Sequence, residues 1–135
     1  MVFLIMTKRD REFQILFNEA RIAGLQAAAA EQVVPMIVAE HSNPLNDEGG
    51  CCGFAWVLLK VRRGREDGYD NTLTAQFGNW MKKNGHGKHS DYEHGVSMWI
   101  HEYGQSMQRK EAYAGAFAQV LRNAKIRAYS QSRMD

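Results

Sequence analysis

Val96-Ser-Met-Trp-Ile-His-Glu-Tyr103, the break Gly104-Gln-Ser106, the run from Met107 to Ala124, and Ile126-Arg-Ala-Tyr-Ser-Gln131 decide the fold. In the first piece Val96, Met98 and Ile100 alternate with Ser97, Trp99 and His101, the period of a strand with two fairly apolar faces. Tyr113, Ala116, Phe117, Val120, Leu121 and Ala124 then fall on one helical stripe. Ile126, Ala128 and Ser130 alternate with Arg127, Tyr129 and Gln131 in a last strand. Strand, helix and strand within about thirty-five residues read as a βαβ unit whose strands are adjacent and parallel.

Upstream, Thr7 caps a long helix with Phe13, Leu16, Phe17, Ala20, Gly24 and Ala27 on its stripe, and Asp10 in the first turn suits the helix dipole. Val33, Val34 and Pro35 end it. Met36 to Glu40 reads as a short strand, paired through a polar loop with the apolar run Cys51 to Val61. Arg62 to Asn71 is a charged loop. Thr72 or Thr74 starts a short helix carrying Leu73, Phe77, Trp80 and Met81, which stops at Asn84-Gly85. Gly85 to His94 is polar and aperiodic, a surface loop. The expectation is one α+β domain of order αββαβαβ, with a mixed sheet of about four strands and a C-terminal βαβ unit; Trp56, Trp80 and Trp99, all within apolar runs, are assigned to its core.

The chain has 135 residues, of which 44% are hydrophobic and 24% charged, enough for one core without metal or disulfide. Its net charge of +2 argues against a polybasic arm. The charge is uneven: Ser106 to Asp135 holds six basic and two acidic residues, which raises the case for an anionic partner near that end. The vicinal Cys51 and Cys52 offer no disulfide framework, and no apolar run approaches the length of a membrane span. A cytoplasmic protein is expected, with no membrane association.

Cys52-Gly-Phe-Ala-Trp-Val57, Phe77-Gly-Asn-Trp-Met-Lys-Lys-Asn-Gly85, Tyr103-Gly-Gln-Ser-Met-Gln-Arg-Lys-Glu-Ala112 and the ending Ala128-Tyr-Ser-Gln-Ser-Arg-Met-Asp135 resemble a group of small proteins encoded by tailed bacteriophages and prophages. The resemblance runs from Asn18 onward and is most specific in the C-terminal block. It implies a phage context, and hence the host cytoplasm. It brings no activity, cofactor or site residue with it.

In a parallel βαβ unit, ligands favour the crevice beyond the strand C-termini, where helix N-terminal amides are unpaired. That places Gly104, Gln105, Ser106, Arg109, Lys110 and Arg133 in a candidate anion site. Arg109 and Lys110 stand where the helix dipole disfavours positive charge, as expected if an anion retains them. The competing role is structural, with Ser106 as N-cap and the basic residues solvated. His86, His89 and His94, with Asp91 and Glu93, carry metal-ligand chemistry but on a glycine-flanked loop. Cys51 or Cys52 with His94 or His41 would suit a cysteine hydrolase, although the run after Cys52 reads as a buried strand in which a thiol is a small hydrophobe.

The function expected is therefore a phage accessory binding protein without turnover or cofactor. It would act on a host process by capturing a phosphate-bearing ligand such as a nucleotide or nucleic acid, or a host protein. The alternative is a small cysteine-dependent hydrolase using Cys52 and a histidine.

Overall fold

A computed structural model of the chain describes residues 6–31, 52–61, 67–104 and 106–134. These form α1 (Lys8–Ala30), β1 (Gly53–Leu59), α2 (Asn71–Lys83), β2 (Lys88–Ser90), β3 (Gly95–Trp99), α3 (Met107–Asn123) and β4 (Ala128–Met134). The expected strand from Met36 to Glu40, its polar loop, Cys51 and Gln105 lie outside the described residues.

Local chemistry sets the helix ends. Thr7 and Asp10 form a reciprocal capping box at the start of α1. The cap of α2 is Asp70, whose carboxylate accepts from the Leu73 N–H at 2.9 Å, rather than either expected threonine. Thr74 instead sits one turn into α2 and is buried. Its hydroxyl donates to the Asp70 carbonyl at 2.7 Å and accepts from the Arg127 N–H at 2.9 Å, so it ties α2 to the approach to β4. Gly85, at φ 76°, ends α2 in the left-handed region and lets the His86 N–H reach the Met81 carbonyl.

The four strands form one sheet in the order β2-β3-β1-β4, with every pair antiparallel. The architecture is α+β as expected, but the sheet is antiparallel rather than mixed, and the expected adjacency of β3 and β4 does not hold, because β1 lies between them. Antiparallel to both, β1 leaves β3 and β4 pointing the same way, so β3-α3-β4 is a split βαβ unit. The pattern β1-α2-β2-β3-α3-β4 with this strand order is the ferredoxin-like arrangement, preceded here by α1. Composition explains the seat of β1: Gly53–Leu59 is apolar throughout and belongs in the centre, whereas Ser130, Gln131, Ser132 and Arg133 suit a solvated edge. The expected loop from Gly85 to His94 contains β2, a three-residue edge strand returning into β3. At Gly95 a side chain would strike the Leu59 carbonyl oxygen, so the glycine permits that return.

The helices share one face of the sheet. Ala55, Val57 and Leu59 of β1 and Val96 of β3 pack with Phe13 and Phe17 of α1, Phe77, Trp80 and Met81 of α2, and Phe117 and Leu121 of α3. The rings of Phe13, Phe17, Phe77, Trp80 and Phe117 are at most 6% exposed, and burial of each is worth roughly 1.5–3 kcal/mol. α1 joins the other two helices edge to face, Phe13 to Phe77 at 5.2 Å and Phe17 to Phe117 at 5.3 Å. Gly24 brings α1 close to α3, since a Cβ there would lie 3.0 Å from the Tyr113 ring.

Candidate functional site: an aromatic sheet face and its basic corners

Antiparallel register puts directly paired residues on the same face. On the face away from the helices, Lys88, Ser97, Leu58 and Tyr129 form one row across the sheet, and Trp99, Trp56 and Gln131 the next. Phe54 and Arg133 form a third. The Trp56 and Trp99 rings stack at 4.5 Å and 18°, and Phe54 meets Trp99 edge to face at 5.9 Å. Trp56 is 9% exposed and Trp99 is 37% exposed. The indole N–H of Trp56 donates to Glu93 Oε1 at 2.9 Å, which fixes the inner ring of the pair.

Trp56 is buried as expected, though on the face away from the helices, whereas Trp99 is exposed, contrary to expectation; of the three tryptophans, Trp80 alone belongs to the helix-side cluster. The signal lay in β1 itself: Phe54, Trp56 and Leu58 alternate with Ala55, Val57 and Leu59, and the two aromatic rings fall on one face. A strand apolar on both faces was legible, but which face met the helices was not. Lys88 and Arg133 stand at opposite corners of the aromatic face, separated by roughly 20 Å on strand geometry. Both are exposed.

Several residues of the expected anion site do meet at the Arg133 corner, through a different pairing from the one expected. Gly53 and Phe54 pair with Met134 and Arg133, and Cys52 bridges to Ser106 at the start of α3. Ser106 is 2% exposed and acts as N-cap, its hydroxyl accepting from the Arg109 N–H at 3.4 Å. Lys110 is 6% exposed; its ammonium donates to the Gly53 carbonyl at 3.4 Å and lies 5.7 Å from the Phe54 ring centroid. These contacts offset the unfavourable helix dipole around the lysine. The Arg133 guanidinium lies 5.5 Å from the same ring.

Ser106 and Lys110 thus direct their polar groups into the protein, and Arg133 is the exposed cation of the corner. Arg109 is half-buried in the first turn of α3. Gly104 is exposed in a turn where it and Tyr103 both take positive φ, 56° and 72°. The Ser106 N–H closes that turn on the Tyr103 carbonyl at 3.0 Å.

The other candidate groups are dispersed. Cys52 precedes β1, whereas His94 precedes Gly95, which abuts Leu59 at the far end of that strand, roughly 20 Å away. That spacing separates the Cys52 and His94 pair. His86 leaves the polar loop to stack on Phe17 at 4.2 Å, while His89 pairs with Asp91 at 3.1 Å. Among the described residues no three His, Cys, Asp or Glu side chains gather so as to hold a metal ion.

Two further features lay beyond the sequence reading. Arg127 is 1% exposed and makes a two-pronged contact with Asp67, with Tyr69 below its guanidinium at 5.1 Å. The Arg127 hydrogen bonds hold the Asp67 carboxyl below the usual range, and Asp67 in turn raises Arg127. On the helix side, a cleft of about 220 Å³ opens between Phe17, Arg21, His86, Met98, Glu102 and Tyr113. Burial lowers His86, aided by the positive charge of Arg21. Burial, with help from Glu102, pushes the Tyr113 phenol up to about 12. Both groups are therefore neutral at pH 7.

None of the described helices is long and apolar enough to cross a membrane. Comparison with protein-family models, curated proteins and solved structures finds no match to this chain.

Proposed function

We propose that this chain is a binding protein without turnover that captures a short single-stranded stretch of nucleic acid on its aromatic sheet face. The observation that carries the reading is the exposed Trp99 ring, backed by the buried Trp56 on which it stacks and set between Lys88 and Arg133. Every base has a π-face, so stacking on an aromatic ring favours binding by about 1–3 kcal/mol per base without selecting sequence. Phosphates on either side would meet the two basic corners. A duplex keeps its bases stacked on each other, which leaves the rings nothing to engage.

This ligand is one form of the phosphate-bearing partner expected from the sequence, now held by Arg133 and the sheet rather than by Ser106 and Lys110. The resemblance to phage proteins supports a setting in the host cytoplasm during infection, where sequestering exposed single strands would alter a host process.

Fluorescence anisotropy of a labelled oligothymidylate of about ten nucleotides tests the reading. Saturable binding should weaken between about 50 and 200 mM salt, with a log–log slope near −0.7 for each phosphate neutralised. With two cations engaged, the expected slope is about −1.4. Absence of binding at about 100 μM protein and low salt would overturn the proposal.

A further inference from the structure

The helix-side cleft carries a separate inference, although Trp99 of the sheet face also borders it. At about 220 Å³ it is smaller than the roughly 300–1,000 Å³ of drug-sized sites, so it suits an occupant of single-metabolite size. Phe17, Met98 and the Tyr113 ring supply apolar wall, and His86 is held flat against Phe17. Arg21 from α1 and Glu102 from the connection between β3 and α3 border the same space with opposite charge. Among the described residues, neither makes an ion pair or a hydrogen bond, with the other or with any third group. Each nonetheless acts on Tyr113, which lies within reach of both fields.

A positive and a negative group that share one cleft without bridging it match a ligand that is itself dipolar. We infer that the cleft binds a small zwitterion, an α-amino acid with an apolar side chain. Its carboxylate faces Arg21, its ammonium faces Glu102, and its side chain lies along Phe17, Met98 and Tyr113. The neutral Tyr113 hydroxyl and His86 imidazole add hydrogen-bonding capacity without adding charge. A simple anion would leave Glu102 opposed to it, and a simple cation would leave Arg21 opposed.

The test is a ¹⁵N–¹H titration of the full chain with three probes: L-phenylalanine, 3-phenylpropionate, which lacks the ammonium, and phenethylamine, which lacks the carboxylate. L-phenylalanine should give saturable shifts at the His86, Glu102 and Tyr113 amides, and each single-charge probe should bind about tenfold more weakly. Arg21→Gln should weaken L-phenylalanine and 3-phenylpropionate and leave phenethylamine unchanged; Glu102→Gln should weaken L-phenylalanine and phenethylamine only. Both side chains are exposed, so the variants keep the fold. No saturable shift with L-phenylalanine up to about 10 mM overturns the inference, and so does equal affinity for all three probes, which would mark an apolar cleft without charge selection.

Discussion

Trp56 and Trp99 are cross-strand partners whose indole rings stack 4.5 Å apart, the inner ring hydrogen-bonded to Glu93 and the outer ring 37% exposed. Trp80, by contrast, is 5% exposed and packs among Phe13, Phe17 and Phe77. The two environments give the exposed and buried indoles opposite energetic weight. Trp80→Ala should destabilise the protein by about 3–5 kcal/mol through lost burial and a residual cavity. Trp99→Ala should cost roughly 1–3 kcal/mol, the loss of its aromatic pairs with Trp56 and Phe54 and part of a burial. Urea unfolding of the two variants checks this. Equal losses would mean that the exposed indole is a structural element of the core.

Arg127 and Asp67 clamp the segment before α2 to the start of β4. A guanidinium that is 1% exposed depends on its carboxylate partner, because removing that partner leaves a buried positive charge. Asp67→Asn should therefore lower the thermal midpoint by several degrees, and adding Arg127→Met to it should recover part of the loss. The Asp67 carboxyl is depressed in the fold, so its contribution is present above the ordinary carboxylate range and disappears as pH falls through the depressed value. Asp67→Asn should accordingly flatten the acid limb of a plot of midpoint against pH. An unchanged acid limb would show that the clamp does not govern acid stability.

His86 is lowered as well, but for the opposite reason, since the fold disfavours its charged form. Burial first, and Arg21 second, lower its affinity for a proton in the fold, so the unfolded chain takes up the proton more readily. Its contribution is fully present above the unfolded value of about 6.5 and is lost as pH falls toward the lower folded value. The wild-type midpoint should fall between pH 7.5 and 5.5, and His86→Phe, which keeps a ring against Phe17, should reduce that slope. Thermal melts at closely spaced pH values measure it, and parallel slopes for the two proteins would contradict the assignment.

The helices were largely legible in the sequence because their signals are local: the Thr7 capping box, the Ser106 cap and the stripe through Phe13 and Phe17 or Tyr113 and Phe117 each span a few turns. Strand partners are not local. Nothing in the alternation of Val96 to Ile100 says that β1 sits between it and Ala128–Met134, since the same pattern serves either neighbour. Ser106, Lys110 and Arg133 were placed together on the strength of a β3–β4 pairing that does not form; they meet instead across β1, and that Ser106 and Lys110 turn inward depends on the approach of Gly53, where a Cβ would lie 2.7 Å from the Arg133 carbonyl oxygen. The sheet-face pair and the Arg21 and Glu102 cleft both join residues far apart in the chain, and only the register and helix packing bring them together.

The most direct measurement of the central claim compares the wild-type protein with Trp99→Ala in anisotropy titrations of one oligothymidylate at one salt concentration, with a duplex of equal length as reference. The variant should lose about fivefold to a hundredfold in affinity, the equivalent of 1–3 kcal/mol of stacking, while it remains folded at the titration temperature. The duplex should bind more weakly than the single strand. Undiminished affinity of Trp99→Ala, or duplex binding as tight as single-strand binding, would contradict a stacking role for this face.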